Sequence, residues 1–326
     1  MILVAGEAVI DLVERHHSDG GHVFEPVIGG SPLNVSVGLA RLGQPVAFLG
    51  ALSGDRLGMR ITAALGREGV NLRFTRRSDR PSSLVLAALD DRGVPDYTFF
   101  LAGAADFAMT EGDLPMAEAC FPAIHFGSVA AFLDPTGKTL ADFVAARRMQ
   151  SVISFDPNMR PTVTPDRDAT VARFNRLLPF VDILKASAED VDWLYSDADL
   201  TRTVSAWSQL GPRIAVVTAG PDGAFAAIAG EVIHVPSPAV SVVDTIGAGD
   251  TFQAALLDGL ASQGFLSRTA IGTLDLADLR PIIERAATAA AITCSRRGAD
   301  LPRAAELSQL VKPRQRTADI KESNAS

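Results

Sequence analysis

The stretch DTIGAGDTF, residues 244–252, sets two glycines around an alanine and follows them at once with a carboxylate. Gly247 and Gly249 carry no side chains, so the backbone N–H groups of Gly247, Ala248 and Gly249 can surround an anion closely. A carboxylate at the rim of such a nest repels a phosphate, so Asp250 needs a chemical reason to be there. Proton removal supplies one. When a phosphoryl group moves to an alcohol, the attacking hydroxyl loses a proton while negative charge spreads over the transferred oxygens. Asp250 is therefore the candidate base, and the 247–249 amides are the candidate anion hole. Taken alone, Gly-Ala-Gly-Asp reads equally well as a tight turn with Asp250 capping a helix.

A second loop, GGSPLN at 29–34, suits a polyol. Its glycines allow close backbone approach, and Asn34 offers both a donor and an acceptor to vicinal hydroxyls. It also reads as a plain helix entry, with Ser31 as cap and Pro32 at the first helical position. Two other motifs fail. PTGKT at 135–139 ends like a phosphate-binding P-loop, but Phe132 stands where that loop needs a glycine, so Lys138 reads as a solvated helix-start residue. GAGDTF misses the dinucleotide pattern because Phe252 occupies its last glycine position. Nor does any His or Cys cluster suggest a transition-metal site.

The elements that must position these loops alternate. The apolar opening ILVAGEAVIDLV reads as a buried strand, 31–43 as a helix closed by Gly43, PVAFLGALSGD as a strand, and RLGMRITAALGREGV as a helix. Strands at 123–129, 151–158, 181–187 and 213–220 are interleaved with helices near 137–149, 167–178 and 188–194. That order predicts an α/β fold, a mostly parallel sheet with helices on both faces. Residues 21–28 and 82–103 break the rhythm as strands without helices, with a hairpin turn expected at DDRG, 90–93. They predict a small β lid from about 12–30 and 74–106 on a single domain spanning 1–312. The polar tail 313–326 is expected to be mobile.

Composition narrows the function. The chain has 326 residues, 47% of them hydrophobic, enough for a large core. A net charge of −8 argues against a nucleic-acid partner, which rewards clustered Lys and Arg. Cys120 and Cys294, far apart, support neither a disulfide framework nor a thiolate metal site. Glu7 and Asp11 interrupt the N-terminal apolar run too early for a signal peptide, and no run approaches a membrane span, so a cytoplasmic protein without membrane contact is expected.

With these segments in view, the chain resembles the ribokinase-like carbohydrate kinases, the pfkB family, from about residue 2 to about 303. DTIGAGDTF resembles the family's second signature, whose last Asp is the catalytic base, and GGSPLNVSVGLARLG resembles the first. The resemblance implies a three-layer α/β/α core with a β lid, and an enzyme transferring the γ-phosphoryl group of MgATP to a sugar hydroxyl. It implies sugar contacts at Asp11, Gly30, Ser31 and Asn34. VVTAGPDGAF implies nucleotide contacts at Thr218, Gly220 and Gly223, and FDPNMRP implies phosphate contacts at Asn158 and Arg160. LKASAEDVDWL falls where the family has Asn-x-x-Glu, which implies Lys185 and Ser187 near phosphate and Glu189 or Asp190 near Mg²⁺. In isolation the same segment reads as an acidic helix start capped by Ser187.

Some positions depart from the pattern. Ser187 and Asp190 replace the usual Asn and Glu, and Ala287 stands where a polar adenine contact is common. IHFGSVA, FDPNMRP and YTFFLAGAAD are most similar to fructokinases, but those commonly carry Phe-Tyr-Arg where this chain has Phe99, Phe100 and Leu101. The expected acceptor is fructose, with ribose, 2-keto-3-deoxygluconate or a nucleoside such as aminoimidazole riboside as alternatives, and a non-catalytic sugar-binding regulator as a more distant one. The resemblance further implies a monovalent cation such as K⁺ near Asp244 and a homodimer paired through its lids.

Overall fold

The computed structural model describes residues 1–16, 22–89 and 95–310. The DDRG turn and the 313–326 tail lie outside the described residues. The described residues form thirteen strands: β1 (Ile2–Ala5), β2 (Val9–His16), β3 (His22–Gly29), β4 (Val46–Ser53), β5 (Asn71–Ser78), β6 (Leu84–Leu89), β7 (Pro95–Phe100), β8 (Ala123–Gly127), β9 (Val152–Asp156), β10 (Ile183–Ser187), β11 (Ile214–Thr218), β12 (Ala224–Ile228) and β13 (Glu231–Val235). The helices are α1 (Ser31–Arg41), α2 (Arg56–Arg67), α3 (Thr136–Arg147), α4 (Arg167–Leu177), α5 (Ala188–Tyr195), α6 (Leu200–Trp207), α7 (Ala248–Ser262), α8 (Arg268–Ile271), α9 (Leu276–Cys294) and α10 (Ala304–Leu310).

Nine strands form one sheet in the order β13-β12-β11-β10-β9-β8-β1-β4-β5, parallel except for the β11-β12-β13 edge. Its inner strands, such as β1, β4, β8 and β9, are buried on both faces, as a sheet covered on both sides requires, whereas the edge strands β5 and β13 are largely exposed or half-buried. Alternate residues feed different cores. Ile2, Val4 and Phe48 pack with α1, α2, α7 and α9, whereas Leu3, Ala5 and Leu49 pack with α3, α4, α5 and α6. The α/β architecture expected from the alternation is the one observed. Among the described residues, no helix is long and apolar enough to cross a membrane.

A separate sheet, ordered β3-β2-β6-β7, forms the lid. Two readings of the sequence are corrected here. The opening run is not one strand: β1 lies in the large sheet, and the chain turns at Gly6 (φ 149°), whose Cβ position lies 2.4 Å from Pro32 Cγ, before continuing as β2 in the lid. Continuous hydrophobicity concealed the change because the first half is buried and the second begins buried, at Val9 and Ile10, before becoming half-buried. Residues 74–78, expected with the lid, are the second half of β5 and pair in parallel with β4 of the large sheet. Strand β5, α6 and the β12–β13 hairpin carry no strong signature and were not anticipated.

Candidate active site

Strand ends and helix starts meet at the carboxyl edge of the large sheet, where α/β folds place ligands. α7 begins there. Its N-cap is Gly247 in the left-handed region (φ 78°), and a Cβ on it would lie 2.6 Å from Ala299 Cβ, so only glycine fits. The Ala248 N–H donates to the Thr245 carbonyl at 3.2 Å. Among the described residues, the amides of Gly247 and Gly249 have no protein acceptor. The positive end of a 15-residue helix therefore opens onto the site with two free donors.

Asp250 does not cap this helix, which removes the plain-turn reading. Its carboxylate instead reaches α1: Ser31 Oγ donates to one oxygen at 2.6 Å and Asn34 Nδ2 to the other at 2.8 Å. All three side chains are buried. Ser31 is likewise not the cap of α1, because Gly30 takes that position (φ 107°) with Pro32 in the first turn. Two loops more than 200 residues apart are thus locked together through the candidate base.

Beneath the glycine loop lies a buried ion pair, Lys185 Nζ to Asp156 Oδ2 at 2.8 Å. Burial acts to lower the Lys185 ammonium, but the carboxylates of Asp156, Asp190 and Asp250 outweigh it and raise it. Burial first, with Asp190 and Asp250 adding and Lys185 opposing, pushes Asp156 up to about 6. A Cβ on Gly249 would sit 3.0 Å from Lys185 Nζ, which places this cation directly under the free amides. Asp156 Oδ1 has no partner although it is buried. Lys185 was among the residues expected near phosphate; Asp156 was not singled out. Its signal was a carboxylate closing an otherwise apolar strand, VISFD. Further below, Gln253 donates to Ser154 Oγ at 2.8 Å, which also meets His125 Nδ1 at 3.0 Å. Burial, helped by Lys185, pushes His125 down to about 3, so this row is neutral.

On the lid, Asp11 of β2 stands in a cross-strand row with Val27 of β3, Val85 of β6 and Phe99 of β7. Burial raises Asp11 to about 6, with Arg160 opposing. A Cβ on Gly29 would lie 2.3 Å from Asp11 Oδ2, so Gly29 makes room for this carboxylate. Arg160 is exposed and donates to Asn158 Oδ1 at 2.8 Å, while Asn158 holds a left-handed φ of 39°. The Asp11 effect sets Arg160 toward the lid side of the site. Phe100 is 56% exposed, whereas Leu101 has left the lid and is buried in the core.

Other expected residues have structural duties. Asp190 closes a capping box with Ser187, accepting from Ser187 N at 2.8 Å and Oγ at 2.9 Å, while its other oxygen accepts from Met159 N at 2.6 Å. The cap reading of this segment is what the fold uses. Glu189 is exposed. Thr218 ends β11, followed by Gly220 (φ 51°, open surroundings) and Gly223 (φ 89°), whose Cβ would lie 2.1 Å from the Val235 carbonyl. Ala287 is buried on α9. Asp244 accepts from Ile246 N at 3.0 Å and Gly298 N at 2.9 Å, tying the two loops beside α7. Lys138 pairs with Asp142 at 2.6 Å on the surface of α3, as a solvated helix-start residue should.

A mostly parallel α/β sheet with a β lid, carrying a buried carboxylate beside a glycine loop with free amides, is the arrangement of a phosphotransferase acting on an alcohol. The model of the pfkB family carbohydrate kinases matches residues 1–305. The chain belongs to that family. It is 34% identical over 281 residues to a fructokinase of Rhizobium leguminosarum bv. trifolii, covering 86% of each chain. Among solved structures it is similar to fructokinase with bound ATP from Xylella fastidiosa (TM-score 0.86, 25% identity, 94% of this chain and 98% of that one). It is also similar to a fructokinase double mutant from Vibrio cholerae with fructose, ADP and potassium ion bound (TM-score 0.83, 25% identity, 95% and 98%). Aminoimidazole riboside kinase from Salmonella enterica, complexed with aminoimidazole riboside and an ATP analogue, is a further neighbour (TM-score 0.80, 26% identity, 94% and 98%).

Proposed function

We propose that this carbohydrate kinase phosphorylates fructose with MgATP, using Asp250 as general base. The observation that carries the reading is the Asp250 carboxylate held by Ser31 and Asn34 beside the free amides of Gly247 and Gly249. Each Asp250 oxygen receives one donor and keeps a lone pair, enough to accept the proton of an acceptor hydroxyl. As the deprotonated hydroxyl oxygen bonds the γ-phosphorus, the bond from that phosphorus to the β-phosphate oxygen breaks and ADP leaves. The amides and Lys185 then face the developing charge. Asn158, Ser187, Thr218, Gly220 and Gly223 flank the path a nucleotide takes along the sheet edge, and Gly30 brings backbone to the sugar.

Mg²⁺ supplies charge neutralisation between nucleotide phosphates when bound. The donor set suits a hydrated ion: Asp156 offers a buried oxygen without a partner, and Asp190 adds negative charge although its oxygens are already engaged. Glu189 is the weaker candidate because it points into solvent. A K⁺ ion near Asp244 is supported by the potassium-bound relative. We further propose a cytoplasmic homodimer joined through the lids, whose strands expose Val23, Phe24, Tyr97 and Phe100.

Asp11 gives a pH test. Its ionised form accepts sugar hydroxyls, and it takes up a proton as pH falls through about 6. The KM for the acceptor is expected to rise below that pH, roughly tenfold per unit once the proton is bound, while Asp11→Asn has a high, pH-independent KM. A flat wild-type KM between pH 5 and 8 contradicts the role.

The acceptor is tested by ADP release with MgATP against fructose, ribose, 2-keto-3-deoxygluconate and aminoimidazole riboside. Saturable turnover with fructose at the lowest KM supports the reading. A nucleoside acceptor is the second reading, favoured by the riboside kinase neighbour and by the apolar row of Val27, Val85 and Phe99 beside Asp11.

A further inference from the structure

The chain crosses between core and lid four times, and the crossings converge on one buried carboxylate that phosphoryl transfer itself does not use. Asp106 follows the last crossing and is 2% exposed. One of its oxygens accepts from Ala8 N at 3.0 Å, immediately before β2, and the other from Ser83 Oγ at 2.5 Å, immediately before β6. Its neighbour Ala105 donates from N to the Pro81 carbonyl at 3.0 Å. The Asp106 carbonyl accepts from Thr136 Oγ1 at 3.0 Å, which anchors the group to the start of α3 in the core.

The second crossing, from β3 to α1, joins through packing. A Cβ on Gly30 would lie 2.9 Å from the Glu7 carbonyl oxygen and 3.1 Å from Ala8 Cα, so the turn that delivers Ser31 rests on the backbone that Asp106 holds. Ser31 in turn holds Asp250. Glu7 lies alongside, its carboxylate accepting from Ala130 N at 3.0 Å. A continuous path of hydrogen bonds and close contacts runs from Asp106 through Ala8 and Gly30 to the base.

We propose that Asp106 is a positioning residue for phosphoryl transfer: by fixing β2 and β6 where they leave the core, it sets the lid and the Gly30–Ser31 turn over the acceptor. The proposal rests on the reading that the small sheet closes over the acceptor. Burial raises Asp106 to about 6, so at neutral pH it is ionised, with one oxygen for each of the two donors. A loosened lid admits water, which then competes with the acceptor for the γ-phosphoryl group.

The test compares full-length wild type with Asp106→Ala, Asp106→Asn and Ser83→Ala, using ATP and fructose. Hydrogen exchange of residues 9–14 and 84–88 reads the hinge without any need for turnover. The ratio of acceptor-free ATP hydrolysis to fructose-dependent ADP release reads water exclusion. In Asp106→Ala, exchange and the hydrolysis ratio are each expected to rise roughly tenfold, and the KM for fructose to rise more than kcat falls. Asp106→Asn, which keeps an acceptor for Ala8 N, is expected to recover most of this; Ser83→Ala, which deletes one bond, rises roughly threefold. Unchanged lid exchange or an unchanged hydrolysis ratio in a folded Asp106→Ala overturns the proposal, and if that variant does not fold, unchanged exchange in Ser83→Ala does so. Absent fructose turnover in wild type defeats the acceptor assignment alone, since exchange and acceptor-free hydrolysis still decide the hinge.

Discussion

Asp250→Asn is expected to lower kcat about 10³-fold, within the span that a positioned general base contributes, while ATP and sugar still bind. The substitution keeps the shape of the side chain and one acceptor for Ser31 or Asn34, so the clamp between α1 and α7 survives in part. What disappears is the basic oxygen. Calorimetric titration with ATP and with fructose checks binding, and ADP release checks turnover. Near-normal turnover would remove Asp250 from the mechanism; loss of both binding steps would make it a structural tie instead.

Lys185→Met is expected to cost both stability and activity, and the two costs separate. Removing the cation leaves Asp156 buried without a counter-charge and with one oxygen already lacking a partner, a situation that destabilises by about 3–5 kcal/mol. Asp156 is held up to about 6 even beside Lys185, and without the lysine it rises further. A carboxylate raised in the folded state relative to the unfolded one loses stability as pH rises through its folded value. The Tm deficit of Lys185→Met should therefore widen from pH 5 to pH 8. Adding Asp156→Leu removes the stranded carboxylate and restores much of the Tm. Turnover should stay at least tenfold low in that double variant, because neither the cation under the Gly249 amide nor the Asp156 oxygen offered to hydrated Mg²⁺ remains. A double variant with wild-type turnover would make the pair purely structural.

The legibility of this site followed the locality of each interaction. The glycine loop was readable because its function depends on consecutive amides and on glycine's freedom at Gly247, both local properties. The alternation of strands and helices was readable for the same reason, since a strand buried on both faces must be apolar throughout. Asp190 shows the reverse case: its spacing from Ser187 fits a cap and a metal ligand alike, and the hydrogen bonds to Ser187 and Met159 show the cap in use. The resemblance sets Leu101 in the place of a fructokinase lid arginine, yet one residue beyond β7 the chain is already back in the core.

By itself, the sequence determined the α/β layering, the glycine loop at 247–249 proposed as an anion nest and the presence of a carboxylate beside it, because periodicity, glycine and adjacency are written along the chain. The tertiary structure decided what that carboxylate touches. Ser31 and Asn34 reach Asp250 across more than 200 residues, Lys185 finds Asp156 from the neighbouring strand, and the opening apolar run divides between two sheets at Gly6. Those pairings depend on which strands become neighbours, and neighbourhood in a parallel sheet is set by crossover connections and by the packing of two cores rather than by any local pattern.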